Sequence, residues 1–345
     1  MPSPKPPSPR HSRAIVTLAI GRAYASRFDA LVRPSWAAYC AAHGCDLIAI
    51  TQPLDASQRA QSRCPSWQKL LVLSQEWSRD YERIVWVDSD ILINARSAPD
   101  ISAGVPIERI GAVDQWGIPS RELFPRALER MYASWRAQWA RFAENPTPTE
   151  YYRNRGLRAD AGAGDPAAHA RLAAHVVQAG VLVTSPAHHA ELFEHVYATG
   201  EDAGGDVNNY EMPALSHAIL THDLQHWIDP RFNFCVAEAS AIYAPELLHP
   251  LGPTAFAKRV ARKIGRRLWP WAVLSRRQLA ALLDLYQRSY FLHFSGTGEL
   301  MAPFHAALRD VAGADLARGE DPARSDDPAQ GDDPARGDDR ARGES

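Results

Sequence analysis

The stretch that decides the fold of this chain reads Glu82-Arg83-Ile84-Val85-Trp86-Val87-Asp88-Ser89-Asp90-Ile91-Leu92-Ile93. Its β-branched and aromatic residues 84–87 predict a buried strand of a parallel sheet. The strand ends in two acids, Asp88 and Asp90, and apolar sequence resumes directly after them. Open α/β sheets bind ligands at the carboxyl ends of their strands, so we expect these acids at a ligand site.

The paired acids also predict a metal site. Carboxylates one residue apart repel each other, and the apolar residues around them limit the access of bulk water. A divalent cation, Mn²⁺ or Mg²⁺, would keep both acids ionised and could use its remaining coordination positions to hold a diphosphate. The alternative is an Asp-Ser-Asp turn without a ligand, because acidic turn residues are common.

The composition is that of a globular protein. The chain has 345 residues, 46% of them hydrophobic and 23% charged, which suits one large or two modest domains. A formal net charge of −2 gives no electrostatic case for nucleic acid. The four cysteines have no metal-site or CxxC spacing, which is typical of reduced thiols in a cytoplasmic protein. No apolar run approaches the roughly 20 residues that span a bilayer.

The order of the predicted elements indicates one α/β domain over residues 13–300. Strands alternate with helical patterns, which predicts a mainly parallel central sheet flanked by helices, with right-handed crossovers. Strands are predicted at 14–20, 46–51, 84–87, 110–114, 176–183 and 290–294. Residues 1–12 are predicted to be a disordered, proline-rich lead-in, and residues 301–316 a C-terminal helix. Residues 317–345 repeat a six-residue unit without large apolar side chains and are predicted to be a disordered tail.

Two further residues are candidates for the site of the paired acids. Lys69 lies on the helical segment that leads to their strand and could present a cation to a phosphate or sugar, although surface lysines are plentiful. His293 ends another predicted core strand. A single histidine in that position is more often a hydrogen-bonded core residue, but beside two acids it becomes a candidate third metal ligand.

These features resemble, in order along the chain, the nucleotide-sugar glycosyltransferases of the GT-A fold. The resemblance is to the retaining group that contains glycogenin, galactinol synthase and bacterial lipopolysaccharide galactosyltransferases, and to the Golgi galactosyl/mannosyltransferase family. The matching segments are 14–20, 39–46, 66–69, 84–94 with its DxD motif, 178–181, 211–215 and 293–296. The resemblance implies a Rossmann-like nucleotide-diphospho-sugar transferase that moves a sugar to a glycan or lipid-linked acceptor hydroxyl with retention.

The resemblance also implies roles for individual residues. The implied metal ligands are Asp88, Asp90 and His293. The implied donor-binding residues are Thr17, Ala19, Tyr24, Lys69, Asp88, Ser89, Gln178 and Gly180. Glu211 falls where these families have an acid beside the reacting sugar carbon, so it is the implied catalytic residue.

Two departures from the pattern keep a second function open. Met212 stands where these families usually have a glutamine, and Glu299 stands where the first group has a lysine that contacts the diphosphate. The alternative is therefore a catalytically degenerate nucleotide-sugar-binding protein on the same fold. A haloacid-dehalogenase-type phosphatase is disfavoured, because Ile91 and Leu92 follow the acids where that class has a small polar pair.

The segment 258–271 combines a basic half of a helical wheel with an apolar half and two tryptophans. Such a segment can lie on an anionic membrane surface, which would place a cytoplasmic protein at the inner membrane face. The alternative is a solvated basic face that packs onto the domain through its apolar side.

Overall fold

The computed structural model describes residues 11–136, 145–157, 165–204, 209–248 and 274–317. The strands are β1 (His11–Leu18), β2 (Asp46–Ile50), β3 (Tyr81–Val87), β4 (Ile91–Ile93), β5 (Ile110–Asp114), β6 (Val177–Thr184), β7 (Gln225–Trp227), β8 (Phe234–Cys235) and β9 (Phe291–His293). The helices are α1 (Arg22–Leu31), α2 (Arg33–His43), α3 (Gln58–Gln61), α4 (Phe124–Arg136), α5 (Pro148–Arg153), α6 (Pro166–Ala174), α7 (Pro186–Thr199), α8 (Met212–Thr221), α9 (Val236–Tyr243), α10 (Arg276–Arg288) and α11 (Met301–Ala317). The 3₁₀ segment Pro65–Ser74 contains Lys69.

The central sheet has six strands in the order β2-β1-β3-β6-β5-β7. β6 runs antiparallel to both of its neighbours, and the other pairings in this sheet are parallel. Residues Ile84–Val87 of β3, an interior strand of this sheet, are buried, as their β-branched and aromatic composition predicts. The predicted α/β class with a mainly parallel central sheet is confirmed.

A second sheet of three strands, in the order β4-β9-β8, forms beside the turn that carries the paired acids. β4 follows that turn directly and pairs antiparallel with β9, so that Ile91 lies opposite His293. β8 pairs parallel with β9 and places Cys235 beside the same histidine. The sequence predicted 290–294 as a strand of the main core, whereas the structure assigns β9 to this small sheet.

Several predicted boundaries also shift. β1 begins at His11, inside the predicted lead-in of residues 1–12, because its first residues pair in parallel with β3 at Tyr81. By its contacts the chain divides into units 1–305 and 306–345, and the described part of the second unit is the helical segment 306–317.

The amphipathic segment 258–271 and residues 318–345 lie outside the described residues. Within the described residues, no helix combines the length and apolar character needed to cross a bilayer.

Helix α7 is fixed to the loop before β5 by a buried histidine. His189 is fully buried, and its Nδ1 accepts a hydrogen bond from the backbone N–H of Ser185 at 2.9 Å. Its Nε2 must then carry the proton, which it donates to the Glu108 carbonyl oxygen at 3.1 Å. Burial disfavours the charged imidazolium and lowers the pKa of His189 to about 4.

The low pKa of His189 makes stability depend on pH. In the unfolded chain this histidine takes up a proton near pH ~6.5, whereas in the folded chain it stays neutral down to about pH 4. The stability is therefore present above pH ~6.5 and is lost as the pH falls. Between about pH 7.5 and pH 5 we expect His189 to reduce the free energy of unfolding by about 2 kcal/mol. Urea denaturation of wild type and His189→Asn at both pH values measures this contribution.

The His189→Asn variant should be less stable at neutral pH and should show a smaller loss of stability on acidification. The exposed His195 on the same helix gives the matched control, His195→Asn, which should keep the pH dependence of the wild type. An equal loss of stability on acidification in wild type and His189→Asn would contradict the assignment.

Candidate active site

The structure brings the three predicted metal ligands together. Asp88, Asp90 and His293 each offer one ligand atom, and these atoms lie within 4.8 Å of one another. Asp88 and Asp90 form the turn between β3 and β4, and His293 ends β9. The backbone N–H of Asp88 donates to the Gly180 carbonyl at 2.8 Å, and that of Phe294 donates to the Asp90 carbonyl at 3.0 Å. Both sheets therefore hold this turn in place.

The three side chains differ in access to solvent. The side chains of Asp88 and Asp90 are 28% and 38% exposed, whereas that of His293 is 3% exposed. A cation could reach the carboxylates from solvent and would meet the imidazole at the inner wall. Two carboxylate oxygens and one imidazole nitrogen form a donor set that suits a divalent cation and leaves coordination positions for a substrate.

Electrostatics couple the acids to the histidine. Burial raises the pKa of Asp88. Burial has the same effect on Asp90, but the charge of His293 and its hydrogen bond outweigh it and hold the pKa of Asp90 below its usual range. Burial disfavours the charged form of His293, and the Asp90 carboxylate outweighs that effect, so the pKa of His293 is raised. Nε2 of His293 lies 3.3 Å from Oδ1 of Asp90.

A chain of hydrogen bonds fixes the orientation of His293. The backbone N–H of Gly180 donates to Oε1 of Gln178 at 2.5 Å, which identifies that atom as the amide oxygen. The same oxygen accepts a hydrogen bond from Nδ2 of Asn233 at 2.7 Å, so Oδ1 of Asn233 faces His293. Nδ1 of His293 lies 2.7 Å from this oxygen and must donate to it. In the neutral imidazole, the form that binds a metal, the lone pair of Nε2 is thereby directed to the acids.

Asn233 was missed by the sequence analysis. It is fully buried and is the direct partner of the histidine. A signal was available, because Asn233 is a lone polar residue between Phe232 and Phe234 in an otherwise apolar run. A buried amide in such a run must find hydrogen-bond partners.

Gly180 leaves the space that His293 occupies. A Cβ atom at this position would lie 2.5 Å from Cε1 of His293 and 2.9 Å from Oε1 of Gln178. The pairing of β6 with β5 is irregular here, since the register shifts between Ala112 and Val113. A glycine within a strand often marks a bulge or a close approach, and here the approaching group is the histidine ring.

Lys69 joins Asp88 to the predicted catalytic acid. Its Nζ lies 3.0 Å from Oδ1 of Asp88 and 2.8 Å from Oε1 of Glu211, and it donates to the Ala179 carbonyl at 3.3 Å. The Lys69 side chain is 3% exposed. Burial disfavours its charge, but the two carboxylates outweigh this effect and raise the pKa of Lys69. All three ammonium protons of Lys69 have acceptors within the protein. Its contact with a donor therefore stays a prediction.

A strained turn directs Glu211 towards Lys69. Asn209 and Tyr210 have φ angles of 64° and 48°, in the left-handed region that side chains disfavour. Glu211 follows them at the start of α8, and its side chain is 5% exposed. Ser66 donates a hydrogen bond to Oε2 of Glu211, so both carboxylate oxygens have partners. Such strain persists only where surrounding contacts hold the backbone, and it is frequent at functional sites.

The remaining predicted donor-binding residues lie around β1 and the acidic turn. Thr17 and Ala19 are buried at the end of β1, and the Thr17 hydroxyl has no hydrogen-bond partner among the described residues. Tyr24 lies on α1 and is 64% exposed. Ser89 occupies the turn between the two acids. No described hydrogen bond links Thr17, Ala19 or Tyr24 to the metal ligands, so their donor contacts stay predictions.

The turn after β9 carries Glu299, where a lysine was expected from the resemblance. The guanidinium of Arg27 on α1 reaches this turn and donates to the carbonyl oxygen of Gly298. A Cβ atom at Gly298 would lie 3.3 Å from Nη2 of Arg27, so the two segments are in close contact. A positive charge is therefore present beside Glu299, contributed by α1.

No protein-family model and no curated protein matches this chain. Among solved structures it is similar to a glycosyltransferase involved in the glycosylation of the major capsid of PBCV-1, at 12% identity and a TM-score of 0.44, over 86% of this chain and 99% of that one. It is also similar to the galactosyltransferase LgtC, solved with donor and acceptor sugar analogs, at 11% identity and a TM-score of 0.38. That match covers 81% of this chain and 86% of that one. The bifunctional glycosyltransferase WbbM is similar at 12% identity and a TM-score of 0.38, and the match covers 84% of this chain and 46% of that one.

The three neighbours are glycosyltransferases, the class that the sequence resembles. At this degree of similarity the chemistry has to be argued from the site itself.

Removing the partner of His293 should weaken metal binding. In Asn233→Ala the imidazole loses the acceptor that selects its tautomer, and we expect the affinity for Mn²⁺ to fall about 10- to 100-fold. Titration calorimetry with Mn²⁺ measures this without any substrate. The exposed Asn154, which contacts Asn145 at 2.9 Å, provides the control Asn154→Ala with unchanged affinity. Equal affinities in wild type and Asn233→Ala would show that His293 does not bind the metal through this arrangement.

Proposed function

We propose that this protein is a metal-dependent glycosyltransferase of the GT-A type. It would transfer a sugar from a nucleotide-diphosphate donor to an acceptor hydroxyl, with retention at the anomeric carbon. The proposal rests on two features that lie together where β3 ends. Asp88, Asp90 and His293 form a candidate cation site, and the buried Lys69–Glu211 pair adjoins it through Asp88.

Mn²⁺ or Mg²⁺ fits the donor set, and the imidazole favours Mn²⁺ of the two. Asp88, Asp90 and His293 would hold it. When bound, the cation would supply Lewis-acid stabilisation of the negative charge on the departing diphosphate. Asn233 and Gln178 keep His293 oriented for this role.

Glu211 is proposed as an electrostatic group beside the sugar carbon. A fixed carboxylate in a largely dry site stabilises positive charge that develops on the sugar in the transition state. Its two oxygens are engaged by Lys69 and Ser66, which makes it a poor nucleophile. This arrangement favours direct attack by the acceptor on the face of the sugar from which the diphosphate leaves. It disfavours a covalent intermediate between the sugar and Glu211.

The diphosphate requires positive charge beyond the cation. The charges of Asp88 and Asp90 balance a divalent cation, and the charge of Lys69 is balanced by its other carboxylate partner, Glu211. Arg27 is the proposed contributor, because it is exposed and its guanidinium reaches the turn that follows His293. Arginine binds phosphate oxygens through charge-assisted hydrogen bonds.

The partners follow from this chemistry. We propose a nucleotide-sugar donor and a glycan or lipid-linked acceptor, without nucleic acid. Cytoplasmic location and peripheral membrane contact through 258–271 remain proposals. The second candidate function is donor binding without turnover, and the presence of Met212 and Glu299 favours it.

The first test is turnover. A panel of nucleotide sugars is screened for binding with Mn²⁺ and with EDTA, and release of nucleoside diphosphate is then measured across a panel of acceptors. For Glu211→Gln we expect nearly unchanged donor affinity and a turnover reduced by about 10²-fold, the effect of losing one preorganised electrostatic group. The exposed Glu246 provides the control Glu246→Gln, which should behave as wild type.

The outcomes separate the candidate functions. If Glu211→Gln turns over at the rate of the wild type, Glu211 is a structural residue and has no catalytic role. Donor binding without release of nucleoside diphosphate in wild type would favour the binding protein. Absence of both donor binding and Mn²⁺ binding would contradict the proposed function altogether.

The second test concerns the diphosphate. Arg27→Gln should weaken binding of the nucleoside diphosphate by about tenfold and leave binding of the corresponding nucleoside unchanged, because only the charged ligand loses a contact. Arg33 pairs with Asp29 at 2.7 Å and provides the control Arg33→Gln. An equal loss of affinity for nucleoside and nucleoside diphosphate in Arg27→Gln would indicate a general disturbance of α1.

A further inference from the structure

Two cysteines meet at the carboxyl end of α2. The helix ends at His43, and Gly44 follows with a φ angle of 62° in the left-handed region. The backbone N–H of Cys45 then donates to the carbonyl of Cys40 at 3.1 Å. This is the hydrogen bond of the Schellman motif, in which the side chains at the two ends of the turn pack against each other. In this chain both of those side chains are thiols.

The environment makes the two thiols unequal. Cys40 is buried at 5% exposure, whereas Cys45 is half-buried. A hydrogen bond joins the two thiols, and together with burial it raises the pKa of Cys40. The same hydrogen bond lowers the pKa of Cys45, although burial opposes this effect, and the charge of Arg13 reinforces it. Cys45 is therefore the accessible thiol with the larger thiolate fraction, and Cys40 is placed behind it.

We propose that Cys40 and Cys45 form a reversible disulfide by exchange with a small disulfide of the glutathione type. The backbones of the two residues are already joined by a hydrogen bond across the Schellman turn, and their thiols interact, so a bridge between them does not require α2 to unwind. All four cysteines are free thiols in this structure.

The exchange proceeds in two steps. The Cys45 thiolate attacks one sulfur of glutathione disulfide, whose S–S bond breaks, and one glutathione thiolate leaves and takes up a proton. Cys40 then gives up its proton, and its sulfur attacks Sγ of Cys45 in the mixed disulfide, releasing the second glutathione. Two protein thiols are oxidised to one disulfide, and glutathione disulfide is reduced to two glutathiones.

The other two cysteines lack this arrangement. Cys235 is 1% exposed, and burial raises the pKa of its thiol well above the usual value. Cys64 is half-buried with a pKa that burial raises, and its described side-chain partner is Ser66. Exchange is therefore expected at Cys40 and Cys45 first.

The test uses the full chain, glutathione disulfide and peptide mass spectrometry. Trypsin releases residues 28–59 as one peptide, because Pro34 protects the bond after Arg33, and this peptide holds both cysteines and no others. In wild type we expect the peptide to lose the mass of two hydrogen atoms, and dithiothreitol should restore it. In Cys40→Ser we expect Cys45 to retain one glutathione, since no second thiol can displace it.

Two variants complete the design. Cys45→Ser should leave Cys40 unmodified, because the remaining thiol is buried. Cys64→Ser is the matched control and should close the disulfide in peptide 28–59 as wild type does. The proposal is overturned if wild-type peptide 28–59 stays unmodified or accumulates bound glutathione without closing. Both overturning results are read in the wild-type protein and do not depend on how any variant folds.

Discussion

The buried ammonium group of Lys69 organises this structure. A lysine removed from water must have its charge balanced and its three donors satisfied, or the site would lose several kcal/mol. Lys69 meets this requirement with Asp88 at the end of β3, the Ala179 carbonyl in β6 and Glu211 at the start of α8. One charge thus fixes the relative positions of two central strands and a helix, and the candidate cation site forms where they meet.

The parts of the fold that the sequence predicted correctly have local causes. Residues Ile84–Val87 could be recognised as a buried strand because an uninterrupted run of β-branched and aromatic residues is typical of one. The position of Asp88 and Asp90 followed from the general location of ligands at strand ends. His293 was a candidate because it ends an apolar strand, and β9 does place it beside those acids.

The parts that the sequence could not predict depend on contacts between distant segments. The antiparallel direction of β6 leaves no trace in its composition, since a buried strand is apolar whichever way it runs. The small sheet of β4, β9 and β8 depends on a register that only the folded chain defines. The pairing of Lys69 with Glu211 joins segments about 140 residues apart, and no local pattern encodes it. The run around Asn233 marks it as a buried polar residue but does not show that its partner is His293.

The placement of β9 has a consequence for the order of events during synthesis. β1, β3 and the acidic turn leave the ribosome early, but His293 follows Asp90 by about 200 residues. At about 5–20 residues per second, the nascent chain carries the two acids for roughly 10–40 seconds before their third partner exists. During this interval β4 is a short apolar strand without its β9 neighbour. Completion of the candidate cation site would then be among the last steps of folding, and the late arrival of β9 would also cover an edge that is otherwise open to aggregation.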